Sequence, residues 1–432
     1  MTSWVAVAVF VGAYVLIATE RVNRVAAALG GAAFVLGLGI VGPADAFFSE
    51  RTGIDWNVVF LLLGMMIIVG VVKETGLFEY LAIWASKRAR GRPYRVMVLL
   101  ALITALASAA LDNVTTVLLV APVTLLVCDR LGVPPVPYLI AEALASNIGG
   151  TATLIGDPPN IIIAARSGLS FNDFLANLAP LIVVILVVFL VMARWMFRHA
   201  FVADPANAEE VMKLNEREAI RDTGLLVRSL VVLAAVLAGF TLHSALHLEP
   251  SVVALIGAGV LVAISRMRPS AYLVDVEWET LVFFMGLFVM VGALVKVGAI
   301  ARLASVVTDV TGGHLLAAAM LLVLASALLS GLVDNIPYVA TMTPIVGQMV
   351  QSAGGLAAGG VLWWSLALGA DLGGNATAIG ASANVVILGI AKRNGTPIRF
   401  WEFTKYGALV AAVSVAMSAG YLWLRYFVLA GA

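Results

Sequence analysis

Residues Ser146–Asn160 read SNIGGTATLIGDPPN, and they interrupt what would otherwise be a membrane-spanning helix. Apolar sequence flanks them on both sides, yet the stretch holds two Asn, two Thr, three Gly, two Pro and an Asp. Gly149-Gly150 and Pro158-Pro159 in mid-span break the ladder of helical hydrogen bonds. Backbone freed at membrane depth is tolerated only where it is buried in protein or lines a watery cavity. Interrupted spans of this kind are how secondary transporters hold their solutes.

The stretch predicts a partner, and Asp371–Asn384, DLGGNATAIGASAN, supplies one. Gly149, Gly150, Thr153, Gly156 and Asn160 match Gly373, Gly374, Thr377, Gly380 and Asn384, all at a shift of 224. Trp56/Trp278, Gly64/Gly286, Gly76/Gly298, Asp112/Asp334, Asn113/Asn335 and Pro122/Pro344 share a shift of 222. So many matches at nearly one spacing mark an internal duplication.

At 62% hydrophobic residues, 12% charged residues and a mean hydropathy of +1.04, the chain is built for lipid. Soluble domains carry about 25% charged residues. Apolar runs of about 20 residues recur throughout, the length a helix needs to cross the hydrocarbon. The fold class expected is an all-α polytopic membrane protein of about ten transmembrane helices, in two inverted-topology repeats. A net charge of +1 with no basic tail gives no reason to expect a nucleic-acid partner. No Cys/His metal spacing and no nucleophile–base constellation is present, so neither a metal, a cofactor nor an enzyme is expected. The single Cys128 excludes an intramolecular disulfide. The opening MTSWVAVAVF lacks a basic region before its apolar run and reads as a retained first helix.

Residues 1–198 are expected to form the first repeat, 199–228 a cytoplasmic linker and 229–432 the second repeat. Charged residues mark a turn at Glu20–Arg24 and a loop with Asp45, Glu50, Arg51 and Asp55. Asp112-Asn113 lies inside an apolar stretch at about 97–127. That stretch is either one long helix with buried polar residues or a re-entrant hairpin of two arms. Arms of about 14 residues would be about 21 Å long, enough to reach mid-membrane and return. The hairpin is the favoured reading, with Asp112 capping its second arm. A broken helix follows at about 138–165. The second repeat places a hairpin at about 315–351 around Asp334-Asn335 and a broken helix at about 361–391.

Five full crossings per repeat turn the second copy upside down. With the cluster Lys87, Arg88, Arg90, Arg92 and Arg95 inside, only Arg51, Arg166, Lys296, Arg302 and Arg425 fall outside. Both termini are then expected outside, and the two hairpin tips meet near the midplane.

Ionisable residues at membrane depth cost about 2.5–3.5 kcal/mol each on insertion scales and are functional candidates. Here they are Asp112, Asp157, Asp334 and Asp371, with Glu142 before the first break. Each Asp has a purely structural alternative as a helix cap. Asn113, Asn147, Asn160, Asn335, Asn375 and Asn384, with Thr115, Thr151, Thr153 and Thr377, offer donors and acceptors around a shared cavity. Gly149, Gly150, Gly373 and Gly374 would let backbone approach a solute, or would serve close helix packing. No Arg or Lys lies in these motifs. A cation or a small neutral polyhydroxy solute therefore fits the donor set better than a strong anion. Buried carboxyl groups can also take up and release protons, which suits them to proton coupling.

LDNVTTVLLVAPVT (111–124), AEALASNIGGTATLIGDPPNIII (141–163) and GADLGGNATAIGASANVV (369–386) resemble the arsenite permease/sodium–proton antiporter (ArsB/NhaD) family of the ion-transporter superfamily. The likeness is greatest to the branch containing the melanosomal P protein. It implies re-entrant hairpins, broken helices and alternating access, with an elevator motion and a homodimer among the arrangements of its members. Against the dicarboxylate branch, the tips read Leu-Asp-Asn-Val and Val-Asp-Asn-Ile rather than Ser-Asn-Thr. The expected activity is export of a small inorganic solute, arsenite as neutral As(OH)3, through the cell's inner (plasma) membrane and coupled to proton entry. A sodium–proton antiporter and an anion transporter of the same superfamily are the alternatives, and a channel is the rival from another class.

Overall fold

The computed structural model describes residues 2–19, 21–49, 51–202 and 205–429. Glu20 and Glu50, placed above in a turn and a loop, lie outside them, as do residues 203–204 of the linker and both chain ends. The described residues contain eighteen helices of ten residues or more and no strand. The first repeat holds α1 (Thr2–Ala18), α2 (Arg24–Gly37), α3 (Trp56–Glu74), α4 (Leu77–Arg88), α5 (Pro93–Ala110), α6 (Asn113–Leu131), α7 (Val136–Gly150), α8 (Pro158–Ser167) and α9 (Ala179–Met196). The second runs in the same order. Its helices are α10 (Thr223–Leu246), α11 (Pro250–Ser265), α12 (Trp278–Lys296), α13 (Ala299–Val310), α14 (Leu315–Leu332), α15 (Asn335–Ser352), α16 (Val361–Gly373), α17 (Ser382–Arg393) and α18 (Phe400–Trp423). Among the described residues, eight helices are long and apolar enough to cross a membrane.

Local chemistry sets the boundaries. Asn23, Asp55, Asp112, Asp222 and Asp334 each accept a backbone N–H at a helix start. Proline opens α5, α8 and α11, where its missing N–H costs nothing. Gly76 and Gly298, at φ of +81° and +73°, turn the chain from α3 into α4 and from α12 into α13. A side chain at either would sit in the left-handed region that glycine alone enters freely. Because Asp222 accepts the Leu225 N–H at 2.9 Å, α10 starts inside the stretch read as linker.

The two repeats interlock through paired contacts. Gly64 of α3 lies against Ala254 of α11, and Gly286 of α12 lies against Ala28 of α2. Lys73 reaches Asp275 at 2.6 Å, and Lys296 reaches Asp45 at 2.7 Å. Each of these two contacts from first repeat to second has its counterpart from second to first, as inverted duplication requires. The ion pairs are half-exposed, so a Lys73→Ala/Asp275→Ala double-mutant cycle is expected to give no more than about 1 kcal/mol. Helix packing holds the halves together.

Both arms of the first hairpin, α5 and α6, are longer than the 14 residues expected, at 18 and 19. They nevertheless penetrate no deeper than the break. Tyr138 at the start of α7 donates to the Pro93 carbonyl at the start of α5. At the far end, Ser108 of α5 donates to the Ser146 carbonyl of α7 at 2.7 Å. The extra length lies towards the face that carries Lys87–Arg95, here called the basic face. There the linker docks on α4: Lys87 reaches Glu216 at 2.6 Å. The Lys87 ammonium holds that carboxyl below its ordinary value. The clasp is therefore complete at neutral pH and loosens as pH falls through the lowered value.

Candidate functional site

Where a hairpin meets a break, one set of hydrogen bonds is built twice. Ser330 donates to the Ala370 carbonyl at 2.6 Å, the counterpart of Ser108 on Ser146. Thr153 donates to the Ala109 carbonyl and Thr377 to the Gly331 carbonyl, both at 2.6 Å. The Asn160 amide donates to the Thr153 carbonyl at 3.0 Å, and Asn384 to the Thr377 carbonyl at 2.9 Å. These groups satisfy the carbonyls that the ruptured helices leave free. The glycines resolve towards packing: a Cβ on Gly149 would lie 2.1 Å from the Ala105 carbonyl oxygen. One on Gly373 would lie 2.4 Å from Ala327 Cα. Gly150 faces the Gly156 backbone in the same way.

Between the breaks runs a buried chain of amides. Asn113 Nδ2 donates to Asn147 Oδ1 at 3.2 Å. Asn147 Nδ2 is shared between Asn375 Oδ1 at 2.9 Å and Asn384 Oδ1 at 3.0 Å. The first repeat thus reaches across to the second. The reciprocal contact is different in kind, because Asp371 occupies the position matching Asn147. Its carboxylate faces Thr151 and Asn160, the counterparts of Asn375 and Asn384. Neither closes a hydrogen bond to it, and both oxygens are buried without a partner. The Thr151 hydroxyl is spent on the Asn147 carbonyl at 2.8 Å.

Asp157 stands where the second repeat has Ala381. Its Oδ2 is 3.5 Å from Asn335 Nδ2 and its Oδ1 has no partner. Asp371, Asp334 and Asp112 all lie within electrostatic reach of it. Neither Asp157 nor Asp371 is a cap. Asp157 lies at the N-cap of α8 but accepts no backbone N–H there. Asp371 lies in the last turn of α16, where the helix dipole disfavours negative charge. Both are completely buried.

Counting unpaired atoms identifies what is missing. Asn113 Oδ1, Asp157 Oδ1, Asn160 Oδ1 and both Asp371 oxygens are buried acceptors without donors. Against them stand two unpaired groups in these motifs that can donate, Asn375 Nδ2 and the Thr116 hydroxyl. Unmet acceptors and two carboxylates in low dielectric call for positive charge, either protons or a small hard cation.

Asp112 and Asp334 are caps, accepting from Thr115 N at 2.8 Å and Ile336 N at 3.0 Å. Thr115 contributes through its backbone. Asp334 has a further partner that corrects the expectation of a site without arginine. Arg24, at the start of α2, lies 3.8 Å from Asp334 Oδ2 and 3.3 Å from both Ser382 Oγ and Thr280 Oγ1. Ser382 in turn donates to Asp334 at 2.7 Å. These groups line a cavity of about 690 Å³ that also takes in Glu277 and Trp278 at the basic face. In the sequence Arg24 is indistinguishable from a topology-setting charge, because 310 residues separate it from Asp334. A second cavity, of about 500 Å³, lies at the opposite face beside Asn57, His243 and Ser251. Its Asn57, Val58 and Ile161 are the repeat counterparts of Glu279, Thr280 and Val385 in the first cavity.

Comparison with known proteins agrees with this architecture. An uncharacterized transporter of Mycobacterium bovis is 59% identical over 427 residues, covering 99% of each chain. A 46 kDa membrane protein of Mycobacterium leprae is 56% identical over 99% of this chain and all of its own. The P protein of Mus musculus is 34% identical over 98% of this chain, which spans 60% of that protein's length. The crystal structure of the Alcanivorax borkumensis YdaH transporter shares the fold, with a TM-score of 0.55 at 15% identity, over 91% of this chain and 88% of its own. The family described as citrate transporter (CitMHS) matches residues 14–369. The chain belongs to that family, within the ion-transporter superfamily, and is a multi-pass secondary membrane transporter.

Proposed function

We propose that the protein exports a small neutral inorganic solute, arsenite or antimonite as the trihydroxide, in exchange for protons, by alternating access. The observation that carries this reading is the Asp157–Asp371 pair, buried between two broken helices with three unpaired carboxylate oxygens. Such a pair binds a coupling cation. A trihydroxide both donates and accepts hydrogen bonds, which suits a chamber lined by Arg24, Asp334, Thr280, Ser382 and Glu277. The acids there outnumber the single arginine, which disfavours polyanions such as the citrate of the family's description. The motif resemblance to the ArsB/NhaD family supports the same solute class. Two cavities related by the repeat, one at each face, support alternating access. The bacterial inner membrane, termini opposite the basic face, and a homodimer complete the proposal.

Arg24 favours a second reading, in which a carboxylate or other anion binds the guanidinium and a proton or sodium ion is co-transported. Proteoliposomes with an imposed pH gradient, offered arsenite, antimonite, sodium and a panel of small anions, separate the two. Arsenite-dependent collapse of the gradient is the expected result. Collapse by sodium alone, or flux of carboxylates without arsenite, would overturn the arsenite assignment. Counterflow exchange, expected here, is what a channel cannot give.

A further inference from the structure

Glu142 lies on α7, five residues before Asn147, and is 1% exposed. Thr124 of α6 donates to its Oε1, and its Oε2 is buried with no partner at all. The titratable groups around it are the Cys128 thiol on α6, also buried, and Tyr138 one turn back on α7, whose hydroxyl is bonded to Pro93. No lysine, arginine or histidine among the described residues is paired with it.

The duplication provides an internal control. At the corresponding places of the second repeat stand Leu366 for Glu142, Val346 for Thr124 and Val350 for Cys128, all buried. Ser146, one turn beyond Glu142, is matched by Ala370. The fold therefore closes this slot with aliphatic side chains when it is free to do so. Only the first repeat replaces them with an acid, a hydroxyl and a thiol. The substitution has a direction as well. Glu142 lies between the basic-face end of α7 and the hairpin tip, and Ser146 next along the helix donates to the Asn113 carbonyl at 3.0 Å. A lone ionised carboxylate in such a slot is unsustainable without a counter-charge, and a proton is the smallest ligand that provides one.

We propose that Glu142 is a second proton-binding site, separate from the Asp157–Asp371 pair, which exchanges its proton with the basic face during transport. The proposal deepens the proton-coupled reading and rests on it for its role, though the binding itself is measured independently. The protonated carboxyl has its own infrared carbonyl band. In the purified wild-type protein that band is expected to vanish on alkaline titration, and to be absent from Glu142→Gln and Glu142→Leu. Leu is the residue the second repeat tolerates here, so Glu142→Leu is expected to fold. In proteoliposomes both variants are expected to keep solute counterflow, which needs no net proton movement, and to lose at least tenfold in proton-driven transport. Thr124→Val is expected to shift the pH profile while retaining transport.

A band unchanged by pH, or variants with the wild-type pH profile and proton-to-solute ratio, would make Glu142 a structural residue and overturn the proposal. Failure of the wild type to move protons with any solute would instead overturn the proton-coupled function, while the infrared titration would still report whether Glu142 binds a proton.

Discussion

Asp157→Asn is expected to lower the initial rate of coupled transport at least about a hundredfold in proteoliposomes, while the protein still inserts and purifies. Replacing a buried charged partner by an amide removes about 3 kcal/mol of interaction with a bound cation. That corresponds to a factor of about a hundred. Asp371→Asn is expected to do the same, because its two oxygens, like Asp157 Oδ1, are buried without a partner. The control is Asp112→Asn. Asp112 caps α6 through the Thr115 N–H, and Asn caps about as well as Asp. That variant is expected to keep at least about a third of the wild-type rate on that account. Normal rates and proton ratios in both Asp157→Asn and Asp371→Asn would mean that the pair is structural.

Gly149→Ala is expected to be strongly destabilising. The added methyl would lie 2.1 Å from the Ala105 carbonyl oxygen and 2.5 Å from Ala105 Cα, both backbone atoms of a packed helix. Neither can rotate aside as a side chain would, so α5 and α7 must separate. Overpacking of this kind costs about 3 kcal/mol. Gly373→Ala, against Ala327, is expected to match it. Gly12→Ala, with nothing within 4 Å of the new Cβ, is expected to be neutral or slightly stabilising. Thermal unfolding midpoints in detergent measure all three. Equal midpoints for Gly149→Ala and Gly12→Ala would show that the break can relax, and would remove packing as the reason for the paired glycines.

The breaks at Gly149-Gly150 and Gly373-Gly374 and the hairpin turns at Asp112 and Asp334 were legible in the chain, and Gly76 and Gly298 were legible as a repeated pair whose turns the structure supplied. Each is a local matter: a proline without its N–H, a glycine at positive φ, or a carboxylate facing a free backbone donor. The length of the hairpin arms was not legible, because apolar sequence does not mark where a helix emerges from the bilayer. The separate fates of the four aspartates were equally hidden. Asp112 and Asp371 look alike in sequence, each a lone acid in apolar surroundings. One begins a helix and caps it; the other ends a helix and is left with two unpaired oxygens.

By itself the sequence determined the all-helical membrane class, the duplication and the positions of both ruptures. Composition and spacing carry that information, and the backbone must satisfy its hydrogen bonds wherever the chain lies. Only the tertiary structure decided which polar groups remain unsatisfied once the halves interlock. It placed Arg24 beside Asp334, brought Asn147 to Asn375, and left Asp157 Oδ1 and both Asp371 oxygens without hydrogen-bond partners, because pairing across a two-fold depends on contacts between residues hundreds of positions apart.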